Sequence, residues 1–270
     1  MDQQINPDSL DTLCAALCAA AGVPAPEKAA APNQELMDYL AGRKADRIFM
    51  YNPDAIGQWI FEKYPQLFTE VNAICDKQVR YQTVMPSVTP VCFGTMYTGA
   101  QPAVHGITSY SKPIIRIDSI FDAFLRAGKK CAIVALPVCS LGNIFLERDM
   151  DYYLVDDEAE TNAVASRLIA EDRYDLLVVY NGNYDTIMHK YGPEALESLS
   201  EARCNSEAFA MFAALIKEHW SKHNTLAAFA MDHGCHLKEN GKGYHGTDMP
   251  EDLNICHSYR FFEAAKPEEA

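Results

Sequence analysis

Short apolar segments alternate with helix-like segments along most of this chain, and this alternation limits the folds that the chain can adopt. Five apolar runs have the length of strands: 47–51 (RIFMY), 131–136 (CAIVAL), 152–155 (YYLV), 175–180 (DLLVVY) and 225–231 (TLAAFAM). Helix-like segments cover 9–22, 34–42, 55–75, 91–98, 118–128, 158–171 and 193–219. The pattern predicts an α/β protein with a mostly parallel central sheet between helices.

Side chains of the types that bind metal ions follow several of these strand-length runs. They are Asp54, Asp185, His189, Asp232 and His233, together with His245 in the glycine-rich loop GKGYHGTD. Ligands bind beyond the carboxyl ends of parallel strands, so the three aspartates can meet although they are far apart in sequence. Asp and His suit Zn²⁺ and similar ions, and three ligands per ion leave one coordination position open. Six such side chains therefore predict a two-metal site.

Each motif also has a structural interpretation. Asp185 and His189 are four residues apart and share a face if the segment is helical, a spacing that is common by chance in surface pairs. Asp54 can cap a helix that begins at residue 55. His245 can lie in a flexible surface loop.

Asp232 and His233 are adjacent, so they can bind one ion only where the chain leaves its strand in an irregular conformation, which Gly234 would permit. The alternative is an aspartate that caps the next helix while the histidine is exposed. Three further histidines, His105, His236 and His257, are expected either to have structural roles or to support the ligands from behind.

Thr89 opens a helix-like segment after the extended stretch MPSV. Pro90 follows it and is favoured in a first helical turn, so Thr89 can be an ordinary N-cap. As a nucleophile, its hydroxyl would lie beside the backbone N–H groups and the dipole of a helix end, which can hold a phosphate group.

Net charge narrows the range of partners. The formal charge is 23 − 37 = −14 and no basic run occurs, so we expect no nucleic-acid partner. A small anionic substrate is compatible with this charge, because bound metal ions can dominate the potential of a site.

The cysteines and the apolar runs indicate a cytoplasmic protein. Nine cysteines are scattered without a CxxC pair, which is typical of reduced core cysteine. The segment LCAALCAAAGVPA follows an acidic stretch and lacks the positive region of a signal peptide. No apolar run approaches the roughly 18 residues of a membrane span, so no membrane association is expected.

Together, these motifs resemble the alkaline phosphatase superfamily, and in particular its nucleotide pyrophosphatase/phosphodiesterase branch, over residues 47–248. Residues 85–107 (MPSVTPVCFGTMYTGAQPAVHGI) are similar to the nucleophile segment of that family. The D-x-x-x-H followed by GP, the D-H-G and the late H-G occur in the family's order. The resemblance implies one catalytic domain over 1–270, with 1–44 as a helical extension and a small or absent cap.

Carried over by motif, the resemblance implies a role for each site residue. Thr89 matches the nucleophile; Asp54, Asp232 and His233 match the ligands of the metal that activates it; Asp185, His189 and His245 match the ligands of the second metal. The cofactors implied are two divalent ions, with Zn²⁺ expected and Mn²⁺ as an alternative. Cys92 stands where the branch commonly has an asparagine donor and is therefore the candidate contact with the substrate. A thiol is a poor donor to phosphate, so the details of this contact are expected to differ.

The implied activity is hydrolysis of phosphodiester or nucleotide pyrophosphate bonds through a phosphothreonine at Thr89, with a small phosphate ester or nucleotide as substrate. Alternatives on the same scaffold are a phosphomonoesterase, a phosphonate hydrolase and a phosphomutase. A non-catalytic metal- or ligand-binding domain is a further alternative. The presence of Thr89 and of all six predicted metal ligands argues against it. The glycine motifs of dinucleotide-binding domains and P-loop NTPases are absent from the sequence.

Overall fold

A seven-stranded sheet forms the centre of the computed structural model, which describes residues 4–265. The strands are β1 (Arg47–Pro53), β2 (Lys77–Gln82), β3 (Cys131–Ala135), β4 (Asp151–Leu154), β5 (Leu176–Asn181), β6 (Thr225–Phe229), β7 (His236–Leu237), β8 (Gly243–Tyr244) and β9 (Asn254–Phe262). Their order across the sheet is β2-β9-β6-β1-β5-β3-β4, and β7 and β8 form a separate hairpin. Strands β6, β1, β5, β3 and β4 are parallel, whereas β9 is antiparallel to both of its neighbours. The predicted α/β fold class is confirmed.

Helices surround this sheet. They are α1 (Thr12–Ala21), α2 (Gln34–Leu40), α3 (Gln58–Lys63), α4 (Thr69–Ile74), α5 (Thr89–Thr98), α6 (Pro102–His105), α7 (Ile120–Arg126), α8 (Ser140–Ile144), α9 (Glu158–Glu171), α10 (Asn183–Tyr191), α11 (Leu196–His219) and α12 (Pro250–Leu253). Strand β1 shows how they cover both faces of the sheet. Phe49 packs on Phe212 of α11 with ring centroids 5.3 Å apart, whereas Asn52 accepts a hydrogen bond from Tyr97 of α5. Residues of opposite parity on a strand point to opposite faces, so α11 and α5 lie on different sides.

The five predicted strands are all present. Four of them are runs that the sheet buries, and β4 is the exception, with Asp151 and Leu154 exposed. Strands β2 and β9 of the sheet were missed, as were the short hairpin strands β7 and β8. Strand β2 alternates buried residues such as Val79 and Tyr81 with the exposed Gln78 and Arg80, as expected of a sheet edge that faces solvent on one side. The other strands were predicted from continuous apolar runs, and β2 contains no such run.

The helix predicted over residues 55–75 is interrupted. It consists of α3, a 3₁₀ turn at Pro65–Leu67 and α4. Pro65 has no backbone N–H and its ring crowds the preceding turn, which accounts for the break after Tyr64.

The N-terminal segment contributes to the main core. Helix α1 is apolar on nearly all sides, and Leu13, Cys14, Leu17 and Cys18 have no exposed surface. The helix contacts α5, α7 and β1. A helix that is apolar all round must be covered on all sides, which explains why α1 lies inside the molecule.

Most of the cysteines also lie in the core. All nine are in the described part of the chain, none of them forms a disulfide there, and seven are buried. No helix within residues 4–265 has the length and apolar character needed to cross a membrane.

The burial of a histidine in β9 predicts that the stability depends on pH. The Nε2–H of His257 donates to the carbonyl of Met231 (2.6 Å), and its Nδ1 accepts from the hydroxyl of Tyr259 (3.2 Å). Burial lowers the pKa of His257 to about 4. An unfolded histidine titrates near about 6.5, so between these two values the unfolded state binds a proton that the folded state does not. The free energy of unfolding should therefore fall as the pH falls through this window.

We expect His257→Gln to reduce the loss of stability between pH 7 and pH 4 by up to about 3 kcal/mol, since one pKa unit corresponds to about 1.4 kcal/mol. Urea unfolding of chelator-treated protein at both pH values measures the difference. His105, whose pKa burial also lowers to about 4, stays in both proteins and keeps part of the dependence. Equal pH dependence in the two proteins would contradict this expectation.

Candidate active site

The three aspartates come from three neighbouring strands. Asp54 directly follows β1, Asp232 follows β6, and Asp185 lies in the first turn of α10, which begins just after β5. Strand β1 lies between β6 and β5 in the sheet, and all three are parallel. Their carboxyl ends therefore share one edge, and the aspartates meet there as expected for an open α/β sheet.

The first group consists of Asp54, Asp232 and His233, whose ligand-type atoms lie within 4.8 Å of one another. All three side chains are buried. The Nε2 atom of His233 is 3.3 Å from Asp54 Oδ1 and 3.4 Å from Asp232 Oδ2. Its Nδ1 is 2.9 Å from the carbonyl of Gly234. A carbonyl can only accept, so Nδ1 carries the proton and Nε2 presents a lone pair to the carboxylates.

The second group consists of Asp185, His189 and His245, again within 4.8 Å. Both histidines place Nε2 at 3.3 Å from Asp185 Oδ1, and the two Nε2 atoms are 3.1 Å apart. Their Nδ1 atoms donate to backbone carbonyls, those of Gly243 (3.1 Å) and Ser87 (3.0 Å). The Nε2 lone pairs therefore face each other, an arrangement that needs a proton or a cation between them.

Three buried carboxylate oxygens have no partner. Asp54 Oδ1, Asp185 Oδ1 and Asp232 Oδ2 accept no well-aligned hydrogen bond from the described residues, and these are the oxygens that face the histidine Nε2 atoms. Within residues 4–265, no Lys or Arg forms an ion pair with these carboxylates. A buried, unpaired carboxylate is costly unless it is neutralised or coordinates a metal. Both groups therefore fit a divalent cation.

The pKa values of Asp54 and Asp232 show the same deficit of positive charge, whereas that of Asp185 does not. Burial raises the pKa of Asp54, and the negative charge of Asp185 adds to the effect. Burial raises the pKa of Asp232 well above its usual range, and the charge of Asp54 adds to it. Burial also tends to raise the pKa of Asp185, but contacts with His189 and His245 outweigh this effect and hold the pKa well below its usual range. The contact with Asp185 raises the pKa of His189.

Thr89 lies against the first group. Its side chain is 5% exposed, and its Oγ1 is 3.3 Å from Asp54 Oδ2 and 3.3 Å from His233 Nε2. Thr89 is the first residue of α5, and Val88 occupies the cap position with an extended backbone. The two groups adjoin each other, since the rings of His233 and His245 have centroids 4.2 Å apart.

The structural interpretations of Asp54, Asp232 and His245 do not describe what is observed, whereas Asp185 and His189 do form an i,i+4 pair in α10. Asp54 caps no helix, because α3 begins at Gln58 with Gly57 at its cap. Asp232 is followed by the hairpin strand β7 rather than by a helix. His245 is buried with its ring held by Ser87, unlike a side chain in a flexible loop.

Glycine is required at position 234 for a different reason from the one expected. Gly234 is absent from the residues with a positive φ. A Cβ at this position would lie 2.0 Å from the carbonyl oxygen of Glu251 and 3.0 Å from the Cα of Gly57. Gly234 therefore allows the segment at the start of α12 to approach the turn that carries His233, which is a matter of space rather than of backbone conformation.

Two residues that the sequence did not single out hold the aspartates. The N–H of Ala55, a residue with a φ of 62°, donates to Asp232 Oδ1 (3.2 Å), so only Oδ2 is left without a partner. The hydroxyl of Tyr180 donates to Asp54 Oδ2 (2.5 Å). Alanine carries no chemical signal, and a tyrosine in an apolar run is indistinguishable from a core residue. A positive φ at a non-glycine residue is a strained conformation of the kind found at functional sites.

Cys92, the expected contact with the substrate, does not line the site. It is fully buried, and its thiol is held by Thr83 and the backbone of Val84. Burial raises the pKa of this thiol well above its usual range. Because the side chain points into the core, it has no surface to offer a substrate.

The sequence matches no model of a known protein family and no curated protein sequence. Solved structures do match. Mouse ectonucleotide pyrophosphatase/phosphodiesterase 5 aligns with a TM-score of 0.56 and 18% identity over 72% of this chain and 59% of that protein. Its inactive threonine-to-alanine variant in complex with AMP gives a TM-score of 0.55, 17% identity and the same coverage of 72% and 59%.

Phosphonoacetate hydrolase from Sinorhizobium meliloti 1021, solved with phosphonoacetate, aligns with a TM-score of 0.52 and 18% identity over 73% of this chain and 59% of that chain. The present chain thus spans about three fifths of the length of these proteins. At such identities the similarity establishes a shared fold. The chain shares the α/β fold of these proteins, which is the fold that the resemblance to the alkaline phosphatase superfamily predicted.

Proposed function

We propose that this protein is a metal-dependent hydrolase of phosphate esters with Thr89 as its nucleophile. In this proposal one divalent cation is held by Asp54, Asp232 and His233, and a second by Asp185, His189 and His245. One observation carries the proposal: the Thr89 hydroxyl lies 3.3 Å from both Asp54 and His233, beside buried carboxylate oxygens that have no partner. A nucleophile placed against a site for positive charge is the arrangement that phosphoryl transfer requires.

When bound, a divalent cation lowers the pKa of a coordinated hydroxyl and neutralises charge on a phosphoryl group. The chain supplies the rest of the chemistry. Asp54 Oδ2 accepts a hydrogen bond from the Thr89 hydroxyl, which turns an oxygen lone pair towards the site. The first turn of α5 offers the backbone N–H of Thr89 and the positive end of the helix dipole to phosphoryl oxygens, whereas Pro90 has no N–H and Val91 donates to the carbonyl of Val88.

The reaction then takes place in two displacements. Thr89 Oγ1 forms a bond to phosphorus while the bond from phosphorus to the leaving oxygen breaks, and the leaving group takes up a proton. Water next attacks phosphorus in the phosphothreonine, the bond to Thr89 Oγ1 breaks, and the threonine hydroxyl is restored with release of the phosphate product.

For the substrate we favour a phosphodiester or a nucleotide pyrophosphate bond. A protein of the same fold is named an ectonucleotide pyrophosphatase/phosphodiesterase, and its inactive threonine variant was solved with AMP. A small phosphate ester also suits a chain with a net charge of −14 better than a nucleic acid does.

A phosphonate hydrolase is the second candidate. It is favoured by the similarity in fold to phosphonoacetate hydrolase. A phosphonate has carbon in place of the leaving oxygen, so the same six ligand-type residues can serve either reaction while the leaving groups differ.

Substrate preference can be measured on one preparation. We expect kcat/KM for bis(4-nitrophenyl) phosphate to exceed that for 4-nitrophenyl phosphate at least about tenfold with Zn²⁺ or Mn²⁺ present, a difference of about 1.4 kcal/mol in transition-state binding. Phosphonoacetate is tested alongside. A preference for the monoester would reverse the ranking, turnover of phosphonoacetate alone would favour the second candidate, and full activity in excess chelator would contradict the metal-dependent mechanism.

A further inference from the structure

We infer that Tyr180 is a positioning residue that fixes the carboxylate of Asp54 for the divalent cation of the first group. The inference rests on the proposed function, because it assigns a role towards a cation that the proposal places there. It concerns a tyrosine at the end of β5 that contacts a predicted ligand directly.

The two oxygens of Asp54 have different surroundings. Oδ2 accepts hydrogen bonds from Tyr180 (2.5 Å) and Thr89 (3.3 Å), whereas Oδ1 has no hydrogen-bond partner and lies 3.3 Å from His233 Nε2. Rotation of the carboxylate would exchange these oxygens. The short bond from Tyr180 opposes the rotation, so Oδ1 stays directed at the first group.

The phenol of Tyr180 has little freedom to move away. Its side chain is nearly buried, and its ring packs edge-on against Phe93 with centroids 5.8 Å apart. The phenol also lies close to Gly182, where an added Cβ would come 2.7 Å from the tyrosine hydroxyl. Burial and these two close neighbours limit the movement of the donor away from Asp54.

Tyr180 also keeps its donor throughout the proposed reaction. Thr89 loses its hydroxyl proton when it becomes the nucleophile, so its bond to Oδ2 cannot persist in the phosphothreonine. Tyr180 is then the remaining donor to Oδ2 among the contacts in the structure. Mutation of a residue that hydrogen-bonds to a metal ligand typically lowers metal affinity or activity about 10–100-fold, and we expect an effect of this size.

The chain offers a matched control. Tyr184 is also buried, and its hydroxyl donates to the carbonyl of Pro193 (3.1 Å) rather than to a predicted ligand. Removing this hydroxyl deletes a buried hydrogen bond of the same kind near the site. A merely structural role of a buried tyrosine hydroxyl would therefore affect both variants alike.

The test compares metal affinities of the full chain. Metal-free wild type, Tyr180→Phe and Tyr184→Phe are titrated with Zn²⁺ in competition with a chromophoric chelator. We expect two binding steps in wild type and in Tyr184→Phe, and in Tyr180→Phe one step weakened about 10–100-fold with the other unchanged. Unchanged or tighter binding in Tyr180→Phe would overturn the inference, as would an equal loss in Tyr184→Phe. Failure of wild type to bind Zn²⁺ would instead refute the proposed function itself.

A second variant keeps the test decisive if Tyr180→Phe does not fold. Gly182→Ala retains the tyrosine hydroxyl but requires it to shift from its position against Asp54, because the new Cβ would lie 2.7 Å from the phenol oxygen. Gly182 has a φ of −103°, which alanine adopts readily. We expect the same single step to weaken, and wild-type affinity in a folded Gly182→Ala protein would overturn the inference.

Discussion

Replacement of Thr89 by alanine is expected to lower kcat for an aryl phosphodiester by about 10⁴-fold or more, because no other residue can accept the phosphoryl group in the proposed mechanism. The change removes one hydroxyl at the start of α5 and leaves all six predicted ligands in place. Steady-state kinetics with bis(4-nitrophenyl) phosphate measures the loss. Metal content, determined on the same sample, should be unchanged.

Helix α5 itself provides the control for this experiment. Thr95 lies on the same helix and is also buried, but its hydroxyl is 3.1 Å from His105 Nε2 and contacts neither ligand group. Thr95→Ala should therefore keep most of the activity, and Thr89→Ser should keep a measurable part of it because serine retains the hydroxyl. Activity of Thr89→Ala within about tenfold of wild type would contradict the role of Thr89 as nucleophile.

Replacement of Asp232 by asparagine is expected to remove one of two divalent ions per chain and to reduce kcat by about 10³-fold or more, since the affected cation is the one beside Thr89. Elemental analysis after exposure to Zn²⁺ and removal of free ions counts the bound metal. His189→Ala should also lose one ion per chain, and the double variant should retain none.

In the absence of metal, the same substitution should stabilise the protein. Asp232 Oδ2 is buried without a partner, and burial raises the pKa of this carboxyl group well above its usual range. Removing an uncompensated buried charge is favourable, so Asp232→Asn should unfold at a higher temperature than wild type in excess chelator near neutral pH. With metal present, wild type should unfold at a higher temperature than Asp232→Asn. A variant that retained two ions per chain, or that was less stable in both conditions, would contradict the assignment of Asp232 as a ligand.

The architecture was largely predictable from short-range patterns. Strands β1, β5 and β6 are apolar runs buried on both faces, and burial of this kind leaves a direct trace in the sequence. Strands β2 and β9 lack such an apolar run. Strand β2 has one face in solvent, and β9 contains polar residues such as His257 that form hydrogen bonds inside the protein. Their pairing depends on contacts between segments about 180 residues apart, which local periodicity does not encode.

Substrate contacts were not predictable in the same way. Cys92 stands where the family resemblance places a donor to the substrate, but the packing of α5 turns its thiol towards Thr83 and Val84. Tyr180 contacts Asp54 across 126 positions of the chain, and nothing in its own segment distinguishes it from a core aromatic residue.

The amino-acid sequence contains the chemical groups of the site: three aspartates, three histidines and a threonine, with the aspartates placed after strands whose carboxyl ends share one edge of a parallel sheet. How these groups are held depends on the tertiary structure. The Nδ1 atoms of the three histidines donate to the carbonyls of Gly234, Gly243 and Ser87, and Ala55 and Tyr180 each occupy one oxygen of an aspartate. The reason is physical: residue type sets what an atom can donate or accept, whereas its direction and its partner depend on backbone and packing from distant parts of the chain.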